Sequence, residues 1–164
     1  MNNQYSIRPL YEKEWEDGMQ LAWDTFLIYE APEYSKEGII NFHDFVRDKT
    51  LKRMFLKGEY VTLGAFLNET LVGILGVRNK THISLLFVDT NYHHQKIATS
   101  LLEHMFEYVV KELGMFEMTV NSSPYAVEFY HKIGFTDLAK EQLTDGIRYT
   151  PMKIRLNQWC SETI

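Results

Sequence analysis

The chain has 164 residues, a length that suits one domain with a sizeable core; 45% of it is hydrophobic, 14% aromatic and 24% charged. A net charge of −5 and an isoelectric point near 5.7 argue against the basic footprint of a nucleic-acid binder and are compatible with a cationic substrate such as an amine. The one cysteine, Cys160, cannot close an internal disulfide and has no evident base to activate it, so a reducing, cytoplasmic setting is expected.

In chain order, the opening MNNQYSIRPL lacks the basic-then-apolar pattern of a secretory signal. No later apolar run approaches the roughly 18 residues of a membrane span. Tyr5 to Leu10 reads as a first strand. Trp15, Met19, Ala22, Trp23 and Phe26 recur at steps of three and four and predict a helix with one apolar stripe. Glu30-Ala-Pro-Glu-Tyr34 breaks it, and Ser35 is placed to cap a second helix running to about Leu56, with Ile39, Phe42, Phe45 and Val46 on its apolar side. Three strands follow: Glu59 to Leu67, Leu71 to Arg78 and Thr81 to Val88. Their short Asn-containing turns predict antiparallel hairpins. A polar loop then leads into a helix from Ile97 that Gly114 closes. Phe116 to Val120 is a strand, Pro124 to about Lys132 a short helix stopped by Gly134, and Thr136 to Ala139 and Arg148 to Leu156 the last strands. The helix from Ile97 links two strands over a length that suits a right-handed parallel crossover. The expected fold is therefore mixed α/β (α+β): a central sheet of about seven strands, antiparallel in its first half with a parallel join in the middle, four helices, and one domain over residues 1–164.

The chemistry is concentrated in two stretches. In the first, a strand ends at Val88, a polar loop holds His93, His94, Gln95 and Lys96, and a helix opens with Ile97, Ala98, Thr99 and Ser100. Free N–H groups at a helix start favour an anion, and Lys96 with two hydroxyls adds to that, so a phosphate or pyrophosphate suits the place. Every strand-to-helix join has such a free helix start, so spacing alone favours a loop that meets only water. Adjacent histidines seldom aim at one point, and His93-His94 has no spaced partner, so no metal is expected. The second stretch runs Val120-Asn-Ser-Ser-Pro-Tyr-Ala-Val-Glu-Phe-Tyr-His-Lys-Ile-Gly-Phe135.

These stretches resemble the two signatures of the GNAT superfamily of acetyl-CoA-dependent N-acetyltransferases. Val88, Tyr92-His93, the run His94 to Ala98 and Leu101-Leu102 stand at the places of the acetyl-CoA motif. Ala126, Phe129, Tyr130, Gly134 and Phe135 fall in register with the second, and Asn121 and Ser123 match its strand end; the resemblance places Asn121, Ser123 and Tyr130, with Thr99 and Ser100, among the cofactor contacts. The resemblance implies that backbone groups of Leu86, Phe87 and Val88 pair with the pantetheine arm of acetyl-CoA and that amides from about His93 to Ala98 hold its pyrophosphate. Histidine and lysine stand at 94 and 96 where glycines are common in the family. If position 96 needs positive φ, lysine there costs on the order of 1 kcal/mol, and its cation compensates if it touches phosphate.

The resemblance further implies direct attack of a primary amine on the thioester, with Tyr130 as the acid that protonates the leaving thiolate. The base is open among His82, the glutamates Glu30, Glu33 and Glu37, and a water chain. Strand alternation from Val88 puts His82, Ser84, Leu86 and Val88 on one face. The expected partners are acetyl-CoA and an amine acceptor, with no nucleic acid and no membrane, in a monomer or homodimer. A second function class stays open: a domain of this fold that binds CoA or acyl-CoA as a sensor without turning it over.

Overall fold

The computed structural model describes residues 5–93 and 96–157; His94, Gln95 and Cys160 lie outside them. Strand β1 (Tyr5–Pro9) leads to helix α1 (Trp15–Tyr29), then to α2 (Lys36–Val46) and α3 (Lys49–Leu56). Strands β2 (Val61–Leu67), β3 (Thr70–Arg78) and β4 (His82–Val88) follow, then α4 (Ile97–Lys111), β5 (Glu117–Ser122) and α5 (Val127–Ile133). Strands β6 (Thr136–Asp137), β7 (Gln142–Thr144) and β8 (Ile147–Arg155) end the described chain.

The single helix expected from Ser35 to about Leu56 is two. The Asp48 side chain accepts hydrogen bonds from the Thr50 and Leu51 amides at 2.6 and 3.4 Å. It thereby starts α3 afresh instead of letting α2 continue. Ser35 caps α2 as expected, accepting from Gly38 N at 3.3 Å. The hairpin turns take the left-handed backbone their residues suggest, with φ of 53° at Asn79 and 69° at Lys80. One strand beyond the expected set, β7, pairs with β8 across a turn at Asp145-Gly146.

The sheet order is β1-β2-β3-β4-β5-β8-β6, with β7 also on β8. Every pairing is antiparallel except β4 with β5. The sheet thus has the antiparallel first half and central parallel join that the element order predicts. Each face carries its own core. Leu101, Leu102, Met105 and Phe106 of α4 pack with Tyr130 of α5 on one face. Trp15, Met19, Ala22 and Phe26 of α1 pack with Ile74, Leu85 and Phe87 on the other.

Two irregularities make room at the centre. Strands β4 and β5 pair only at His82↔Thr119 and Ile83↔Val120, so beyond that point they splay. The β3–β4 register also slips, pairing Gly76 with Leu85 but Val77 with Ile83, which leaves Ser84 as a bulge. The bulge overturns the simple alternation expected for β4. Ile83 joins the α4-side core while Leu85 and Phe87 join the α1-side core. Leu86 packs on the α4 side together with Val88, not on the face of His82.

Candidate active site

Two cavities meet in the cleft between the splayed strands. The larger, about 560 Å³, lies at the start of α4 and is lined by Leu86, Phe87, Val88, His93 and the residues Lys96 to Thr99. Tyr29 and Tyr125 complete its rim. The smaller, about 340 Å³, lies on the α1–α2 side and includes His82, Asn121 and Ser123 in its wall. Glu30, Leu86, Phe87, Ala126 and Tyr130 belong to both. These five residues form a waist between the cavities.

The first cavity is built for an anion at one end. No side chain caps α4, so the amides of Ile97, Ala98 and Thr99 have no helical acceptor and lie along the cavity wall. Lys96 is exposed beside them with φ 60° and ψ 22°. Position 96 therefore does demand the left-handed backbone that glycine accepts without cost. Ser100 sits one residue deeper, its amide spent on the Lys96 carbonyl at 3.0 Å, and it is not part of the lining. Along the wall, His93 Nε2 donates to the Val88 carbonyl at 2.7 Å. The His93 imidazole also stacks on Tyr29 with ring centroids 4.8 Å apart.

The waist holds the ionisable groups. Tyr130 is buried on α5, its ring edge-on to Phe129 at 5.3 Å and to Phe135 at 5.1 Å. Gly134, at φ 124°, ends α5 by donating to the Tyr130 and His131 carbonyls. Burial pushes the Tyr130 phenol above its ordinary range, and the Glu30 carboxylate pushes it further. Glu30 comes from the residue that ends α1. Desolvation raises its carboxyl to about 7, with the nearby Ser123 hydroxyl pulling the other way. Ser123 Oγ itself is buried with no hydrogen bond of good geometry. The charge on Glu30 also raises Tyr34 and Tyr125, in each case behind desolvation.

The other candidate bases sit apart from the waist. His82 lies in the wall of the second cavity away from the waist, with Nδ1 2.8 Å from Thr119 Oγ1 across the parallel join. Burial and then the Arg78 cation lower its pKa, so it is a neutral imidazole near neutral pH. Glu33 is exposed and paired with Arg148 at 3.1 Å. Glu37 lines an outer groove with Asn41, Asp145 and Tyr149. Asn121 and Ser123, expected at the cofactor, line the second cavity rather than the first. Sequence reasoning passed over Tyr29, Tyr125 and Arg78. The one signal for Arg78 is its place at the end of the hairpin, in register with His82.

Among the described residues, no group of three or more His, Cys, Asp or Glu side chains is arranged to hold a metal ion, and no helix is long and apolar enough to cross a membrane.

The family model described as acetyltransferase (GNAT) domain matches residues 30–156. The fold matches a GCN5-related N-acetyltransferase from Rhodopseudomonas palustris with a TM-score of 0.79 at 23% identity, covering 95% of this chain and 99% of that one. It matches the PaiA N-acetyltransferase from Thermoplasma acidophilum, solved in complex with coenzyme A, with a TM-score of 0.76 at 23% identity, covering 93% and 99% of the two chains. A spermidine N-acetyltransferase, SpeG from Vibrio cholerae, aligns with a TM-score of 0.67 at 11% identity over 99% of this chain and 100% of that one. A search of curated protein sequences gives no significant match.

Proposed function

Because the chain belongs to the GNAT acetyltransferase family, we propose that it moves an acetyl group from acetyl-CoA to a primary amine by direct attack, with the whole chain acting as one catalytic domain. The observation that carries this reading is the waist: a carboxyl raised to about 7 and a protonated phenol, Glu30 and Tyr130, stand where the two cavities meet. The residues present also suit the cosubstrate. Free amides of Ile97 to Thr99 and the Lys96 cation suit a pyrophosphate. The β4 edge, freed where it leaves β5, suits a pantetheine arm. The similar protein from Thermoplasma acidophilum is solved with coenzyme A, which supports a CoA-type cosubstrate.

On this reading, Glu30 takes the proton of the acceptor ammonium. The amine nitrogen then bonds to the thioester carbon, the carbon–sulfur bond breaks, Tyr130 gives its proton to the departing thiolate, and the excess proton left on the new amide nitrogen restores the phenol through water. A backbone N–H near Val88 is assigned to the oxygen that gains charge. The two proton groups assist each other. Ionised Glu30 holds the Tyr130 proton in place. Once Glu30 is protonated that hold is released, and the phenol is a stronger acid when the thiolate appears. His82, neutral and away from the waist in the acceptor cavity, is the alternative base, reached through water.

A second reading, CoA binding without transfer, is favoured by the non-glycine Lys96 in a left-handed backbone and by His93 already holding the Val88 carbonyl. Calorimetric titration with acetyl-CoA, comparing the natural chain with Lys96→Glu, tests cofactor binding. The expected result is binding that the charge reversal weakens at least tenfold, with a matching loss of ligand-induced thermal stabilisation. Acetylation in an amine screen then separates transfer from binding alone. No binding by either protein would sink both readings.

A further inference from the structure

The acceptor cavity carries more charge information than a site for an amine alone requires. Apart from His82, only two of its lining side chains, a carboxyl and a guanidinium, can carry a charge near neutral pH. Glu30 stands at the waist, and Arg78 stands at the opposite, solvent-exposed end beside His82. Among the described residues Arg78 makes no ion pair. Its guanidinium is close enough to His82 and to the Tyr60 hydroxyl to bias both toward their less positive forms. His82 spends Nδ1 on Thr119 and carries no charge of its own that competes for an anion.

Between these ends the wall on the helix side is aromatic. Phe26 stacks on Phe42 at 4.1 Å, and Phe42 meets Phe87 at 5.7 Å and Phe45 at 6.2 Å. The cavity is thus a dipolar slot: a carboxylate where chemistry occurs, an apolar side, and an unpaired guanidinium at the mouth. A guanidinium fork recognises a planar carboxylate in two-point fashion. A second ammonium at the same end would meet like charge.

Resting on the transfer reading above, we propose that the acceptor is a primary amine whose apolar or aromatic body separates the nitrogen from a carboxylate, with Arg78 fixing that carboxylate. This differs from a polycation. An extended polyamine would have to turn away from Arg78 toward the outer groove of Glu37 and Asp145, which adjoins the cavity through Asn41, Asn121 and Ile147.

The test compares para-(aminomethyl)benzoate, benzylamine and spermidine as acceptors, in the natural chain and in Arg78→Gln. The carboxylated ring is expected to exceed benzylamine at least tenfold in kcat/KM, mainly through KM, and Arg78→Gln is expected to cost it at least fivefold more than it costs benzylamine. Equal use of the two rings, a preference for spermidine, or an advantage that survives Arg78→Gln overturns the proposal. Calorimetric titration of the same three compounds, with and without coenzyme A, reads the preference without turnover. Carboxylate-dependent binding with no transfer to any amine would sustain this acceptor class while removing the acetyltransferase reading. Transfer without carboxylate preference would do the reverse.

Discussion

The two cavities on either side of Glu30 and Tyr130 are made in different ways. The larger cavity, the cofactor side on the proposed reading, is largely backbone: the open amides of α4, the freed edge of β4, and one loop lysine, with a rim from Tyr29 and Tyr125. The smaller cavity, the acceptor side on the same reading, is largely side chains, drawn from α1, α2, the β3–β4 hairpin, β5 and the start of β8. A pyrophosphate needs donors at fixed spacing, which a helix start supplies for almost any sequence. Discriminating one amine from another needs particular side chains, and those come from parts of the chain far apart in sequence. The same contrast says where substitutions act on chemistry, on coupling between the sides, or on binding alone.

The largest expected effect is at the waist. Tyr130→Phe removes one oxygen from a ring held by Phe129 and Phe135, so the fold is kept. Loss of a positioned acid typically costs 10²–10⁴-fold, and we expect kcat to fall by about 10²–10³ while acetyl-CoA affinity falls far less. Steady-state rates beside calorimetry check this. Parallel losses of both would place Tyr130 in binding and leave the acid elsewhere.

Next is the coupling between the sides. If Glu30 is the base, kcat/KM rises with pH through about 7, the value to which burial lifts its carboxyl, because only the ionised form accepts a proton. Glu30→Gln abolishes that rise and lowers kcat by about 10²-fold. Its stability effect has the opposite sense. A carboxyl raised from its ordinary range to about 7 favours the folded state fully at low pH, and that contribution is lost as pH climbs through about 7. Glu30→Gln escapes the loss and should gain about 1–3 kcal/mol relative to the natural chain at pH 8, and much less at pH 5. In a chain of this size each kcal/mol moves Tm by about 2–4 °C. A pH–rate profile that keeps its rise in Glu30→Gln would shift the base to His82.

Much of the fold and of the wall of the larger cavity was legible in the sequence. Apolar spacing from Trp15 to Phe26, the Asn-containing turns and the helix from Ile97 each state their local structure in consecutive residues. The loop and helix start were readable for the same reason, since Lys96 to Thr99 are contiguous. The break at Asp48 was not legible, because a mid-helix aspartate and a new cap look alike until its carboxylate meets the Thr50 and Leu51 amides. Nor was the Ser84 bulge, which depends on how β3 and β4 register and decides which face Leu86 shares. The aromatic wall and Arg78 were hidden most fully. Phe26 and Phe42 read as ordinary core and Phe87 as strand backbone for the pantetheine arm, and only the splay of β4 from β5 turns the three rings into one side of a slot.

The smallest expected effect lies wholly on the cofactor side and separates strain from charge. Lys96 holds φ 60° with its side chain exposed at the cavity. Lys96→Gly relieves the left-handed backbone but adds freedom to the unfolded chain, so the free protein gains at most about 1 kcal/mol. The same change removes a cation near the pyrophosphate site and should weaken acetyl-CoA binding by roughly three- to tenfold, the worth of one partly exposed charge contact of about 1 kcal/mol. Lys96→Ala keeps the strained conformation and loses the same cation, so it should weaken binding equally with no gain in Tm. Chemical denaturation of the three proteins, beside calorimetric titration in low and high salt, reads both quantities. If glycine instead tightens binding, the loop is limited by its backbone shape, and the lysine charge contributes nothing to the cofactor. If alanine and glycine lose affinity alike and only glycine gains stability, the lysine trades backbone strain for a charge at the phosphate, and the cofactor side owes part of its affinity to a side chain after all.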